Sequence, residues 1–319
     1  MTLKHSVTAT GTNDGAKQVS VDAWNADHVV GPGGIVFAPE SAEPSPPASG
    51  VTVYSREIVP GHTVLKTVRP SGVDSPLQDA QAFNRYMKWQ ANNTVMVAQG
   101  AAVLTVSAAG TAVVPASGSA KSQITRIQYA SAATAGALHT VISPNAGNAH
   151  MLRGNVTGEG GFRFVLRFAL NTLVAGGRGF WGIAASTTAA TNIDPLTTAA
   201  PARVGIGYNA NTGNWFVCYS DGTTAASVDL GATMALNTTD VIELVLFCRP
   251  HNGTAAGNIS YRVRRYTNPN TPAAEVSGTL STNIPAAATL LHPWFFVTNN
   301  ATAAATNWHF GSAALESDW

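Results

Sequence analysis

The feature that most constrains this chain is a strict alternation of apolar side chains in its second half. In residues 161–172 (GFRFVLRFALNT) every second position is a large apolar residue: Phe162, Phe164, Leu166, Phe168 and Leu170. Successive side chains of a β-strand point to opposite faces, so this segment is predicted to be a strand with one buried face. Residues 241–248 (VIELVLFC) and 257–267 (GNISYRVRRYT) repeat the pattern. Such strands fold as sheets whose apolar faces pack together.

Residues 122–319 are predicted to form one C-terminal domain of this kind. Further strands are expected at 123–129, 138–143, 179–184, 203–208, 214–219, 290–297 and 306–313. Turn-forming pairs such as Asp221-Gly222 and Asn252-Gly253 separate them, and no helical pattern intervenes. Many short strands at this spacing indicate an antiparallel β-sandwich. The pattern leaves jelly-roll and concanavalin-like topologies both open.

The first 121 residues divide into four segments. Residues 1–38 form an N-terminal region, and residues 39–50 (PESAEPSPPASG) form a proline-rich, semi-rigid linker. Residues 51–93 are expected to hold two strands and one helix at 75–90, with Ser75 as its cap and Pro76 at its first position. Residues 94–121 are expected to form a connector of small-residue strands. The fold class is therefore mainly β, a small β unit with one short helix followed by the sandwich.

Charge is unusually scarce in this chain. Charged residues make up 11% of it, against about 25% in an ordinary soluble domain. A surface polar through hydroxyl and amide groups fits a protein in a large assembly or a sugar-rich environment, although an alanine-rich genome explains it equally well. The net charge of +1 gives no electrostatic footprint for nucleic acid, and no apolar run approaches the ~20 residues that span a bilayer. We expect neither nucleic-acid binding nor membrane insertion.

The sequence contains no pattern typical of a catalytic site. It lacks the motifs of serine hydrolases, zinc proteases, phosphate-binding loops and dinucleotide-binding folds. Cys218 and Cys248 have no metal-ligand spacing, and whether they are bonded stays open. Most carboxylates of the final domain fall in turns; Glu243 lies mid-strand, on the side opposite the apolar face. We expect no enzyme activity, no catalytic residue, no cofactor and no metal.

Aromatic residues are the better lead to a binding site. The candidates for stacking on sugar rings are Trp181, Tyr208, Trp215 and Tyr219. Trp215 and Tyr219 share one strand face, and either that face or the opposite one, with Phe216 and Cys218, could be exposed. The competing interpretation is core packing. Exposed rings would favour receptor binding, and buried rings would favour a scaffolding role.

Several segments of the chain are similar to proteins of one class. Residues 19–30 (VSVDAWNADHVV) resemble an N-terminal motif of tailed-bacteriophage fibre and other virion proteins. Residues 47–56 (PASGVTVYSR) and 70–78 (PSGVDSPLQ), in that order, resemble tail-fibre-like virion structural proteins. Residues 278–285 (GTLSTNIP) and 308–319 (WHFGSAALESDW) resemble the close of their lectin-like sandwich. The resemblance implies an N-terminal virion-attachment region and a distal β domain, often trimeric, that meets the host surface. The attachment candidates are Trp24, Asn25, Asp27 and His28.

Together these observations predict a phage virion fibre or spike. It would be a homotrimer, anchored to other virion proteins by residues 1–38 and presenting the sandwich to a host surface polysaccharide. The alternative is a structural component of the virion, such as a capsid decoration or tail-collar protein, that binds no receptor. In either case the protein would be assembled in the host bacterial cytoplasm and located on the virion.

Overall fold

Alternating strands account for most of the computed structural model, which describes residues 2–3, 28–29, 39–40, 44–45, 47–68, 74–76, 85–100, 103–143, 150–268 and 271–317. The strands are β1 (Thr2–Leu3), β2 (His28–Val29), β3 (Thr52–Val59), β4 (His62–Val68), β5 (Asp74–Pro76), β6 (Arg85–Asn92), β7 (Val95–Gln99), β8 (Thr105–Val106), β9 (Thr111–Val113), β10 (Arg126–Ala130), β11 (Leu138–Ile142), β12 (Phe162–Leu170), β13 (Arg178–Ala184), β14 (Arg203–Asn209), β15 (Phe216–Ser220), β16 (Ala225–Asp229), β17 (Val241–Cys248), β18 (Ile259–Tyr266), β19 (Pro272–Leu280), β20 (His292–Thr298) and β21 (Asn307–Ser317). Within the described residues there is one α-helix, α1 (Ala120–Gln123), and one 3-10 turn at Ala232–Met234. The predicted fold class, mainly β with an antiparallel sandwich, is confirmed.

The chain contacts divide the molecule into two units. One comprises residues 1–56 and 65–75, and the other comprises residues 57–64 and 76–319. β1 pairs with β2, and β3, β4 and β5 form a three-stranded sheet. All further features described below belong to the second unit.

Two large sheets make up the sandwich of the second unit. The nine-stranded sheet has the order β19-β18-β17-β12-β21-β10-β9, with β6 also paired to β21 and β7 paired to β6. The seven-stranded sheet has the order β16-β15-β14-β13-β20-β11-β8. β21 is the strand around which the first sheet is organised, because it pairs along its length with β12 and, on its other edge, first with β10 and then with β6.

The helix predicted at residues 75–90 is not found, and this prediction was wrong where the structure describes the segment. Residues 74–76 form β5 and residues 85–92 form β6, while residues 77–84 lie outside the described residues. In β6 Met87 and Trp89 are buried, whereas Tyr86 is 43% exposed. This two-residue alternation suits a strand, and pairing with β21 fixes it. The nine-stranded sheet therefore begins before the predicted domain boundary at residue 122.

The space between the two sheets is filled by large apolar and aromatic side chains. Phe168 stacks on Trp181 with ring centroids 4.4 Å apart, and Trp215 meets both rings edge-on. Trp308 packs against Trp181 from β21. Such aromatic pairs add stabilisation beyond the area that they bury. Cys248 lies in this core, whereas Cys218 lies on the other face of the seven-stranded sheet, and both are free thiols.

The outer face of the seven-stranded sheet is covered by the segment 185–202. Ala190, Ile193 and Leu196 of this segment pack on Phe180 and Cys218. The segment is held by Arg203, which is fully buried and donates hydrogen bonds to four of its carbonyl oxygens, those of Pro195, Thr198, Ala199 and Pro201. One buried cation thus supplies four of the hydrogen bonds that hold a loop without apolar periodicity.

Candidate binding surface on the nine-stranded sheet

The aromatic residues predicted to stack on sugars do not form a surface. Trp181 and Tyr208 are fully buried and Trp215 is 1% exposed, and all three pack together between the sheets. A ring enclosed by protein presents no face to a ligand, so these three assignments are corrected: the residues belong to the core. Tyr219 is partly buried and packs against the same core.

The opposite face of β15 is not exposed either. Phe216 and Cys218 point away from the core, but the segment 185–202 covers them. The alternation correctly separated the two faces of this strand. It carried no information about a loop that would pack on the outer one, because that loop has no regular pattern.

The attachment candidates fall largely outside the described part of the chain. Trp24, Asn25 and Asp27 lie outside the described residues, and His28 begins β2. Their proposed role therefore stays a prediction.

A row of polar side chains crosses the outer face of the nine-stranded sheet. Residues paired directly across neighbouring strands lie on the same face. The register pairs Gln90 with Ser312, Ser312 with Arg167, Arg167 with Glu243, Glu243 with Arg264, and Arg264 with Glu275. At an interstrand spacing of about 4.8 Å the row is about 24 Å long. We call these six residues the polar row.

Apolar contacts flank the polar row on both sides. On one side the turn between β3 and β4 covers the face, with Val59 packed on Val245 and Phe247. On the other side Ala120 and Ile124, at α1, pack on Val241 and Tyr266. The polar row therefore forms the floor of a groove between two covered strips of the sheet.

The groove deepens where β21 changes its partner. The register of β12 and β21 shifts between Arg167 and Phe168, which leaves Gly311 as an extra residue in β21, a β-bulge. The edge of β21 that faces away from β12 pairs with β10 before Gly311 and with β6 after it. At this change of partner lies a cavity of about 280 Å³, lined by Gln90, Ala91, Ile124, Thr125, Gly311 and Ser312.

Glu243 is the electrostatic centre of the row. It is 4% exposed, and its carboxylate accepts a hydrogen bond of 2.6 Å from Nε of Arg167. Arg262 and Arg264 approach its other oxygen to 3.5 and 3.9 Å. Burial alone would raise the pKa of Glu243, but the three guanidinium groups more than offset it and hold the pKa below its usual value.

A buried, ionised carboxylate of this kind orients its arginines and is poorly suited to protonate a leaving group. The structure places no group of three or more His, Cys, Asp or Glu residues together as a metal site within the residues it describes. Nor does the described part of the chain contain a helix long and apolar enough to cross a membrane. What the groove offers is guanidinium, amide and hydroxyl groups, which can hydrogen-bond to a polar ligand.

Sequence reasoning placed Glu243 on the outer side of its strand, but it did not identify the polar row. Arg262, on the same face of β18 as Arg264, is only 7% exposed. The charges at 167, 243 and 264 were visible in the sequence. Only the pairing of β12, β17 and β18 brings them together.

Comparisons with known proteins show resemblance in structure alone. No protein-family model and no curated protein matches the chain. Among solved structures, the chain is similar to a protein of unknown function from Shewanella oneidensis MR-1 (14% identity, TM-score 0.43, 74% of this chain and 88% of that one). It is also similar to lectin II from Ulex europaeus (12% identity, TM-score 0.43, 75% and 100%) and to endo-beta-1,4-glucuronan lyase from Trichoderma reesei (10% identity, TM-score 0.42, 74% and 95%). Other lectins and a Trypanosoma rangeli sialidase are further neighbours. With TM-scores below 0.5, these similarities carry no inference about ligand or activity.

Proposed function

We propose that this chain is a phage virion fibre or spike protein that uses its β-sandwich to recognise a glycan on the host surface. The observation that carries the proposal is the groove over the polar row. Its exposed guanidinium, amide and hydroxyl groups can hydrogen-bond to sugar hydroxyls over several residues of an oligosaccharide. The groove replaces the buried aromatic rings as the candidate site, and the protein acts as a binding protein without enzymatic activity.

Virion attachment is the part of the proposal that rests on sequence. Residues 19–30 resemble the N-terminal motif of tail-fibre-like virion proteins. We propose that Trp24, Asn25, Asp27 and His28 contact another virion protein, that the fibre is a homotrimer, and that it is assembled in the host bacterial cytoplasm before it joins the virion.

Binding of the full chain to bacterial cells tests the receptor role. The fluorescently labelled protein is incubated with a panel of bacterial strains, before and after their surface polysaccharide is stripped. The full chain is needed because β6 and β7 belong to the nine-stranded sheet. Saturable binding that disappears on stripping supports the proposal, and no binding to any strain by a folded oligomer contradicts it.

The second candidate is a structural virion component that binds no receptor. The burial of Trp181, Tyr208 and Trp215 favours this candidate, because these rings serve the core alone. In that case the polar row would contact another virion subunit. The cell-binding measurement distinguishes the two, since a scaffold protein would bind neither intact nor stripped cells.

A further inference from the structure

We propose that the polar row recognises an acidic glycan, and that the guanidinium group of Arg167 binds the carboxylate of its sugar. This inference rests on the proposed glycan-binding function and names the chemical class of the ligand. It is carried by the exposure of Arg167, by the fixed orientation of its guanidinium and by the local excess of positive charge.

Arg167 differs from the other ion-paired arginines in its exposure. Its side chain is 51% exposed, whereas those of Arg163, Arg178, Arg262, Arg264 and Arg265 are between 8% and 22% exposed. The guanidinium groups of the other five are largely buried beside their ion-pair partners. Arg167 is the one in this set that can reach a ligand without leaving its internal partner.

Two contacts fix the orientation of the Arg167 guanidinium. Nε donates to Glu243 Oε2 at 2.6 Å, and the central carbon lies 5.7 Å from the centroid of the Tyr266 ring. Among the described residues, no hydrogen-bond partner faces its two Nη atoms. A guanidinium held at Nε with both Nη atoms free presents a planar pair of donors, the arrangement that matches the two oxygens of a carboxylate.

The local balance of charge also favours an anion. Three arginines, Arg167, Arg262 and Arg264, surround the single carboxylate of Glu243. Glu275 pairs with Arg264 at the far end of the row and compensates one more positive charge. The excess is positive, and the exposed part of it is the Arg167 guanidinium.

The polar row continues from Arg167 to the cavity at the β-bulge one strand away, whereas the Arg167 side chain itself borders a smaller depression with Ile124, Val241 and Tyr266. Arg167 pairs directly with Ser312, which lines the cavity of about 280 Å³ together with Gln90 and Thr125. A sugar ring in the cavity would meet amide and hydroxyl groups, and the next sugar along the row, over β12, would bring its carboxylate to Arg167. The remaining row, toward Glu243 and Arg264, would accommodate further sugars of the same chain.

Calorimetric titration of the full chain with three oligosaccharides of equal length tests the inference: oligogalacturonate, a sulphated oligosaccharide and a neutral malto-oligosaccharide. We expect oligogalacturonate to bind at least about tenfold more tightly than either of the others, and its affinity to fall as NaCl is raised. Neutral or sulphated sugars binding as tightly as oligogalacturonate would overturn the inference.

Variants locate the site. Arg167→Gln is expected to weaken oligogalacturonate binding about 10- to 100-fold. Arg167→Lys keeps the charge but loses the planar pair of donors, so its affinity should lie between those of the wild type and Arg167→Gln. Gln90→Glu places a negative charge in the exposed part of the groove without touching Glu243, and it should weaken oligogalacturonate binding only. Arg178→Gln, on the seven-stranded sheet, is the matched control and should leave the affinity for oligogalacturonate unchanged. If Arg167→Gln does not fold, the binding measured with Gln90→Glu tests the inference in its place. Oligogalacturonate binding as tight as that of the wild type, by either variant in folded form, overturns the inference.

The two proposals fail in different ways. If the protein binds cell-surface polysaccharide and neutral sugars as well as acidic ones, the glycan-binding function stands and the inference about acidic glycans falls. If no sugar and no cell binds, the proposed function itself falls.

Discussion

Glu243 shows at the scale of one residue how this protein uses its few charges. Its carboxylate is buried on the outer face of the sheet and is compensated by arginines from β12 and β18. Removing one member of a buried ion pair leaves the remaining charges without a partner in a poorly solvated place. The ion cluster is therefore more sensitive to a single substitution than its surface position implies.

Replacing Glu243 tests this directly. Glu243→Gln keeps the shape but leaves three guanidinium groups without their shared carboxylate, and we expect the free energy of unfolding to fall by about 3–5 kcal/mol. Urea denaturation measures the change. Glu275→Gln is the control, because the side chain of Glu275 is 34% exposed and its pair should contribute less than about 1 kcal/mol. Equal effects of the two substitutions would contradict the account.

Two buried histidines make the protein sensitive to acid. Burial lowers the pKa of His139 to about 4, and burial together with Lys121 and Arg126 lowers the pKa of His309 to about 3. Both stay neutral in the folded protein, whereas in the unfolded chain they bind a proton near pH 6.5. The unfolded state therefore takes up more protons as the pH falls from 6.5 toward 4, and stability decreases in that window.

Between pH 7 and pH 5 the free energy of unfolding is expected to fall by up to about 2 kcal/mol for each histidine. Urea denaturation at both pH values measures it, and the double variant His139→Gln, His309→Gln should lose less stability than the wild type over the same interval. A wild-type protein equally stable at pH 5 and pH 7 would show that these side chains are not buried as neutral groups.

At the scale of elements, alternation predicted the sandwich strands well. The strands at 162–170, 241–248 and 259–266 were predicted with the observed bounds, because large apolar side chains fill one face of each at every second position. β19 (PAAEVSGTL) was missed because its small and polar residues show little contrast between faces. β6 was predicted as helix because a capping signal at Ser75 outweighed the alternation of Met87, Trp89 and Ala91.

The segment 185–202 is the element that no sequence pattern predicted, and Arg203 holds it. Replacing Arg203 with Leu leaves the carbonyl oxygens of Pro195, Thr198 and Pro201 without this donor, while Ala199 O keeps the Ser220 hydroxyl. We expect the free energy of unfolding to fall by about 3 kcal/mol, with the effect confined largely to this segment. Limited proteolysis should show new cleavage within 185–202 while the core stays intact.

Arg178 provides the comparison. It contacts Asp194 of the same segment at 3.6 Å, and its side chain is 22% exposed, so Arg178→Leu should have a smaller effect. If the segment 185–202 resists cleavage in the Arg203 variant as well as in the wild type, Arg203 is not what fixes the segment.

At the scale of the whole molecule, the proposed trimer requires a surface where chains meet. Val95, Val97 and Val103 are 57%, 39% and 60% exposed, at or near β7, which pairs with β6 alone among the described strands. Exposed apolar side chains beside an unpaired strand edge are typical of an interface between chains. Small residues at 94–121 would let the chains approach closely.

A charge at this edge should disrupt the assembly. We expect the wild type to be a trimer at micromolar concentration and Val97→Lys to be largely monomeric, as measured by light scattering after size-exclusion chromatography. Val156→Lys, at a position that is 54% exposed in a loop, should leave the trimer intact. A monomeric wild type would rule out the trimer and leave the exposed valines without this role.

The central claim is that the groove of the nine-stranded sheet binds glycans, and an array of bacterial polysaccharides probed with three forms of the full chain tests it most directly. The forms are the wild type, Arg167→Gln in the polar row, and Thr188→Ala in the shallow depression of about 270 Å³ on the seven-stranded sheet. We predict saturable binding of the wild type to a subset of polysaccharides, lost with Arg167→Gln and kept with Thr188→Ala. Loss with Thr188→Ala alone, or no binding by folded wild-type protein, would contradict the account.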